Sequence, residues 1–173
     1  MYLTFISQEI FLCIMLVKDA MTKYVITLSP EETIRDASEK FAMKNISGAP
    51  VIDERGKLVG ILSEADILHM LGAYYKQNNV VFLPTPFDLI EIPFRQVITF
   101  TEAKVALEDI SKKKVREIMK KNVITITSDD SVEYAAELMI EKKVNRLPVI
   151  EKEKLLGIIT RGDIIKVLAE RKR

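Results

Sequence analysis

The apolar residues of this chain fall into two alternating patterns. Residues 25–28 and 123–126 are short β-branched runs, which predict strands. Beyond each, apolar residues recur at helical spacing: Ile34, Ala37 and Phe41, then Val132, Ala135 and Met139. Pro50-Val51-Ile52 and Pro148-Val149-Ile150 return to the β-branched pattern. Each is followed by a polar turn (53–57; 151–154) and a second apolar run (58–62; 155–159), which predicts a hairpin. A last helix opens at Ser63 or Thr160. The first internal helix is expected to start at Ser29 as N-cap, with Pro30 in its first turn and Glu32 completing a capping box. Its counterpart is expected at Ser128, ahead of Asp129 and Asp130, acids that favour the positive end of a helix.

The two halves are copies of one another. Met21-Thr22-Lys23-Tyr24-Val25-Ile26-Thr27-Leu28 matches Met119-Lys120-Lys121-Asn122-Val123-Ile124-Thr125-Ile126 at an offset of 98 positions. At the same offset Pro50-Val51-Ile52 falls on Pro148-Val149-Ile150. After one deleted residue in the turn, Gly60-Ile61-Leu62-Ser63 falls on Gly157-Ile158-Ile159-Thr160, and Asp66-Ile67 on Asp163-Ile164. A duplicated unit of roughly fifty residues is too small to bury a core alone, so the copies are expected to pack together, sheet against sheet. The predicted class is α+β (α/β): two β-α-β-β-α repeats forming a pseudo-twofold pair.

Residues 1–16 read as an apolar extension, residues 17–70 as the first repeat, 71–114 as a spacer and 115–173 as the second repeat. The run 10–17 is eight apolar residues, too short to span a bilayer and without the basic flank of a signal peptide. The spacer holds Pro84, Pro86 and Pro93, which break a continuous helix, and a helix is expected near 101–110. Phe82, Leu83, Phe87, Leu89, Ile90, Ile92 and Phe94 make it too apolar for a disordered linker.

Composition narrows the chemistry. With 48% hydrophobic and 29% charged residues and a net charge of +1, the bulk balance points to neither nucleic acid nor an anionic membrane. One cysteine (Cys13) and one histidine (His69) leave no disulfide framework, zinc cluster or Ser–His set within the chain. The basic runs 112–114 and 171–173 lack aromatic interleaving and read as solvated helix ends. The expectation is a soluble, cytoplasmic protein that is not an enzyme and has no obligatory cofactor.

Both copies end in Gly-Ile-x-Ser/Thr-x-x-Asp, a strand running into a helix. Ser63 or Thr160 would present a hydroxyl beside the amides of a helix N-terminus, where an anion is favoured. Asp66 or Asp163, one turn later, can accept two hydrogen bonds from a ribose diol. Gly60 and Gly157 would let a neighbouring chain or a ligand approach the strand. The same Ser/Thr-x-x-Asp pattern is also a capping box that needs no ligand. The copies differ where phosphate charge matters: Arg146 and Arg161 in the second stand where the first has Gly48 and Glu64. Arginine suits phosphate and glutamate opposes it, so the two sites are expected to be unequal, with the phosphorylated ligand at Thr160 and Asp163.

The order Val-x-Asp/Glu-x-Met, Val-Ile-Thr, helix, Pro-Val-Ile, turn, Gly-Ile-x-Ser/Thr-x-x-Asp resembles the CBS domain, and the pair resembles a Bateman module. The resemblance covers 17–70 and 115–168. It implies a regulatory module that senses AMP, ADP, ATP or S-adenosyl compounds (S-adenosylmethionine, methylthioadenosine) in clefts between the two repeats. It further implies a homodimer acting on a regulated protein partner. Carried over position by position, Asp66 and Asp163 would hold ribose hydroxyls and Ser63 and Thr160 the ribose–phosphate end. Val25, Ile26, Ala49 and Pro50, with Val123, Ile124, Leu147 and Pro148, would line the adenine slot, and Arg146 and Arg161 would meet phosphate. The alternative is a ligand-free dimerisation scaffold that docks a partner through its apolar spacer.

Overall fold

The structure, a computed structural model, describes residues 15–77 and 100–169. In chain order the elements are α1 (Val17–Ala20), α2 (Ile34–Lys44), β1 (Gly48–Ile52), β2 (Leu58–Ser63), α3 (Glu64–Gln77), α4 (Phe100–Lys112), α5 (Val115–Ile118), α6 (Val132–Glu141), β3 (Arg146–Glu151), β4 (Lys154–Thr160) and α7 (Arg161–Ala169). β1 with β2, and β3 with β4, form separate two-stranded sheets. The spacer helix expected near 101–110 spans Phe100–Lys112, and α3 runs to Gln77. The apolar spacer residues from Phe82 to Phe94, Cys13 and the remainder of 1–14 lie outside the described residues.

The runs 25–28 and 123–126 differ from expectation. Neither forms a strand, and only its last residue bridges a neighbouring strand: Leu28 pairs with Val51 and Ile126 with Val149, both parallel. The expected helix starts also move. α2 is capped by Thr33, whose side chain accepts from Asp36 N–H while Asp36 accepts from Thr33, and α6 is capped by Ser131. Ser29 and Glu32 instead close the preceding turn, Glu32 Oε1 accepting from Ser29 N–H at 3.3 Å. Thr127 and Asp130 do the same in the second copy. The carbonyls of Pro30 and Glu32 are already taken by the amides of Arg116 and Val115, and those of Ser128 and Asp130 by Lys18 and Val17. Fixed by these partners, neither turn can propagate into the helix.

The chain divides into two compact units. One holds the described residues of Leu28–Val51 and Ile61–Lys120, the other those of Met1–Thr27, Ile52–Gly60 and Lys121–Arg173. In the first unit Leu28, Ile34, Ala37, Phe41, Ala49, Val51 and Leu62 are buried together with Ala106, Ile110 and Val115. α4 packs on both α2 and α3 there. The second unit has a core of Ile126, Val132, Ala135, Met139, Leu147, Val149, Ile159 and Ile164, completed by Val17 from α1. All six helix positions read from the helical spacing, from Ile34 to Met139, are buried. Each of the larger side chains among them, such as Ile34, Phe41, Val132 and Met139, contributes about 1.5–3 kcal/mol by its burial.

β3 and β4 pair antiparallel with Arg146 opposite Thr160, Leu147 opposite Ile159 and Pro148 opposite Ile158, and the register shifts between Val149 and Ile150. The hairpin turn is two residues, Lys152 and Glu153, both with positive φ (47° and 65°). This is the tight turn suited to right-handed strand twist. The first hairpin uses a longer turn ending at Gly56 (φ 77°), with Asp53 Oδ1 accepting from the amides of Arg55 and Lys57. The deleted residue between the copies is therefore a change of turn.

Candidate functional site

In each copy the end of a strand is also the N-cap of the next helix. β2 ends at Ser63 and α3 begins at Glu64; β4 ends at Thr160 and α7 begins at Arg161. Asp66 and Asp163 fall one turn in, and both are buried, at 8% exposure each. Asp66 Oδ2 accepts from Ser63 N–H at 2.9 Å and from Ser63 Oγ at 2.5 Å. Asp163 Oδ2 accepts from Thr160 N–H at 2.9 Å and from Thr160 Oγ1 at 2.7 Å, and Asp163 N–H returns a bond to Thr160 Oγ1 at 3.3 Å. The Ser/Thr-x-x-Asp pattern thus caps both helices.

Several amides expected to face a ligand are already engaged. Glu64 N–H donates to Ser47 O, and Arg161 N–H to Asn145 O. Gly157 packs closely, but against the chain itself: a Cβ there would lie 2.5 Å from Met21 Sδ and 3.0 Å from Thr22 O.

The second oxygens of the two aspartates have different neighbours. Asp66 Oδ1 sits 2.8 Å from Lys120 Nζ. Burial pushes the Asp66 carboxyl up, but the hydrogen bonds from Lys120 and Ser63 and the lysine charge outweigh it, and the group is held below the usual carboxylate range. Asp163 Oδ1 has Lys166 Nζ, from its own helix, at 3.6 Å, beyond hydrogen-bond length. Lys120 was not among the residues singled out from the sequence. The signal was present, because the repeat places Lys120 in register with Thr22, a charge difference of the same kind as Arg146 against Gly48.

Thr160, Asp163, Leu147, Pro148, Arg146, Val123 and Ile124 all belong to the second-repeat unit. Arg146 lies directly opposite Thr160, and cross-strand partners share a face of the sheet. Ile126 N–H donates to Pro148 O, which holds the end of the run 123–126 against β3, and Ile124 packs on the core. Arg161 is exposed, hydrogen-bonds Asn145 Oδ1 at 3.1 Å and lines a cavity of about 630 Å³ between α6 and α7, with Met139, Lys143 and Ile164. In the other unit Ala49 and Pro50 are buried on β1, Ser63 ends β2 and Asp66 lies in the first turn of α3. Val25 and Ile26 are half-buried and belong to the second-repeat unit. His69 is exposed on α3.

Among the described residues no three His, Cys, Asp or Glu side chains converge as a metal site, and no helix is long and apolar enough to cross a membrane.

A family model described as the CBS domain matches residues 17–73 and 115–170. The chain is 40% identical over 156 residues to the uncharacterized protein MJ1426 of Methanocaldococcus jannaschii, covering 90% of this chain and 92% of that one. It is 30% identical over 147 residues to the chloroplastic CBS domain-containing protein CBSX2 of Arabidopsis thaliana, covering 84% of this chain but only 59% of the relative. Among solved structures it resembles CBSX2 in complex with AMP (TM-score 0.66, 28% identity, 92% of this chain and 99% of that one). It also resembles the CBS domain pair of MJ0100 in complex with 5′-methylthioadenosine and S-adenosyl-L-methionine (TM-score 0.63, 27% identity, 91% and 98%).

Proposed function

The chain belongs to the CBS-domain family, with two copies in tandem, and from that premise we propose that it is a regulatory module that binds an adenosine derivative and carries out no catalysis of its own. In this reading Asp163 accepts the ribose hydroxyls through Oδ1, and Thr160 marks the ribose–phosphate end. Arg146, on the same sheet face as Thr160, and Arg161 meet phosphate, while Val123, Ile124, Leu147 and Pro148 form the apolar wall for adenine. In the first copy Ser63, Asp66, Ala49 and Pro50 stand at the corresponding positions, with Asp66 Oδ1 held by Lys120. The ligand is AMP, ADP, ATP, S-adenosylmethionine or methylthioadenosine. The module acts as a cytoplasmic homodimer on a protein partner.

The observation that carries this reading is the Thr160–Asp163 pair. It is a buried carboxylate with one oxygen used in capping and the other out of hydrogen-bond range of the Lys166 ammonium. The likeness to CBS pairs solved with AMP, and with methylthioadenosine and S-adenosylmethionine, supports adenosine as the common ligand part.

Thermal melting and calorimetry with AMP, ATP, S-adenosylmethionine and methylthioadenosine test the proposal. A ligand at a hundred times its Kd stabilises the folded state by about 2.7 kcal/mol. No shift with any of the four at millimolar concentration would sink the proposal. Asp163→Asn keeps a carbonyl acceptor for the Thr160 amide but loses the second carboxylate oxygen, so it is expected to stay folded and to lose binding.

A further inference from the structure

The two copies place their site aspartates on one shared frame. In the first-repeat unit Lys120 N–H donates to Ile61 O and Ile61 N–H to Lys120 O, both at 2.9 Å. In the second-repeat unit Thr22 N–H donates to Ile158 O at 2.9 Å and Ile158 N–H to Thr22 O at 3.0 Å. The residue in this bridge is therefore fixed against the strand that leads to Ser63 in one copy and to Thr160 in the other. What differs is its side chain, a lysine in one and a threonine in the other.

That difference decides how many acceptors the aspartate has left. Asp66 Oδ2 is used twice by Ser63, and Asp66 Oδ1 is used by Lys120 at 2.8 Å. All three bonds from the protein to this buried carboxylate are charge-assisted, and the ammonium bond is stronger than one from a neutral hydroxyl. A ribose diol needs both acceptor positions on the outer oxygen and can offer only neutral hydroxyls in return. Asp163 keeps Oδ2 for Thr160 in the same way, but among the described residues its outer oxygen meets Lys166 alone, at 3.6 Å, from an exposed side chain on its own helix. Thr22, at the position of Lys120, carries no charge.

We infer that Lys120 is a specificity-determining residue that closes the Ser63–Asp66 site to ligands bearing a ribose diol, leaving Thr160–Asp163 as the site that takes them. The inference rests on the ligand-binding reading above. It makes the inequality of the two copies a matter of ribose as well as of phosphate, because the plug acts on the diol whatever the ligand carries at its 5′ end. Lys120 is itself two-thirds exposed, so its removal leaves no cavity.

The test is the binding stoichiometry of 5′-methylthioadenosine, which has the diol but no phosphate for Glu64 or Arg161 to bias. Calorimetry on the full chain should give one equivalent for the wild type, lost in Asp163→Asn. Lys120→Thr, which installs the residue found at position 22, should take a second equivalent while keeping a cooperative melt. The reciprocal Thr22→Lys should weaken the remaining wild-type site by roughly tenfold or more. Two equal equivalents in the wild type, or a single equivalent persisting in Lys120→Thr, would overturn the role of Lys120 and leave the ligand-binding reading standing. No binding by either protein would overturn both.

Discussion

At Asp66 two effects oppose each other, and their balance can be measured. Burial of the carboxyl favours its neutral form, while Lys120 and the two donors of Ser63 favour the charged form and prevail. A carboxyl held below its unfolded value of about 3.9 contributes stability that is fully present above that pH. The contribution is lost as pH falls through the lowered folded value. The melting-temperature gap between wild type and Asp66→Asn should therefore be constant from neutral pH down to about pH 5 and should shrink as acid is added below it. A gap that stays constant down to about pH 2 would show that Lys120 and Ser63 do no more than offset the burial of the carboxylate. At this scale the sequence was informative about residues that recur in register: Asp66 and Asp163 stand at equivalent positions, and both are buried caps. It was silent about what each carboxylate faces. Lys120 reaches Asp66 only because folding brings together residues far apart in the chain, and Arg161 bonds Asn145 across a strand.

Among the elements, the helices were legible and their first turns were not. Ile34, Ala37 and Phe41 mark a buried stripe that no other structure would explain. Ser29 with Glu32 and Thr33 with Asp36 offer two capping boxes of the same chemistry, four residues apart. The choice between them falls to the amides of Val115 and Arg116, which take the carbonyls of Glu32 and Pro30. A local pattern cannot contain that information. The same holds for 25–28 and 123–126, where β-branched composition is real but a single bridge is all that each run makes. The β3–β4 turn carries a cost that can be removed. Lys152 and Glu153 both hold left-handed backbone angles that disfavour side chains with a Cβ. Glu153 returns only an exposed ion pair with Lys57, worth little in water. Replacing Lys152 and Glu153 with Asn and Gly, the pair this turn type prefers, should stabilise the protein by about 1 kcal/mol and raise its Tm by roughly 2–4 °C.

For the whole molecule, the two compact units are not the two halves of the sequence. Each repeat is completed by the short helix that opens the other. α5, which leads into the second repeat, supplies Val115 to the unit of the first, and α1, which leads into the first, supplies Val17 to the unit of the second. The bonds match at every step. Val115 N–H meets Glu32 O as Val17 N–H meets Asp130 O, and Ile34 N–H meets Lys113 O as Val132 N–H meets Met15 O. Sequence self-similarity reveals that there are two copies, but it assigns each short helix to the repeat it opens, because an offset carries no record of which core a residue enters. The exchange has a direct consequence for mutations. Val17 is fully buried among Ile126, Val132, Leu147 and Val149, so Val17→Ala opens a cavity in that core and should cost about 2 kcal/mol. The loss should appear in hydrogen exchange as weaker protection of β3, β4 and α6, more than a hundred residues along the chain, with α2 and α3 spared. Val115→Ala should do the reverse, loosening α2 and α3 and sparing β3 and β4. If instead each substitution loosened the rest of its own repeat, α1 and α5 would belong to the cores of the repeats they open, and the two cores would not be completed by exchange.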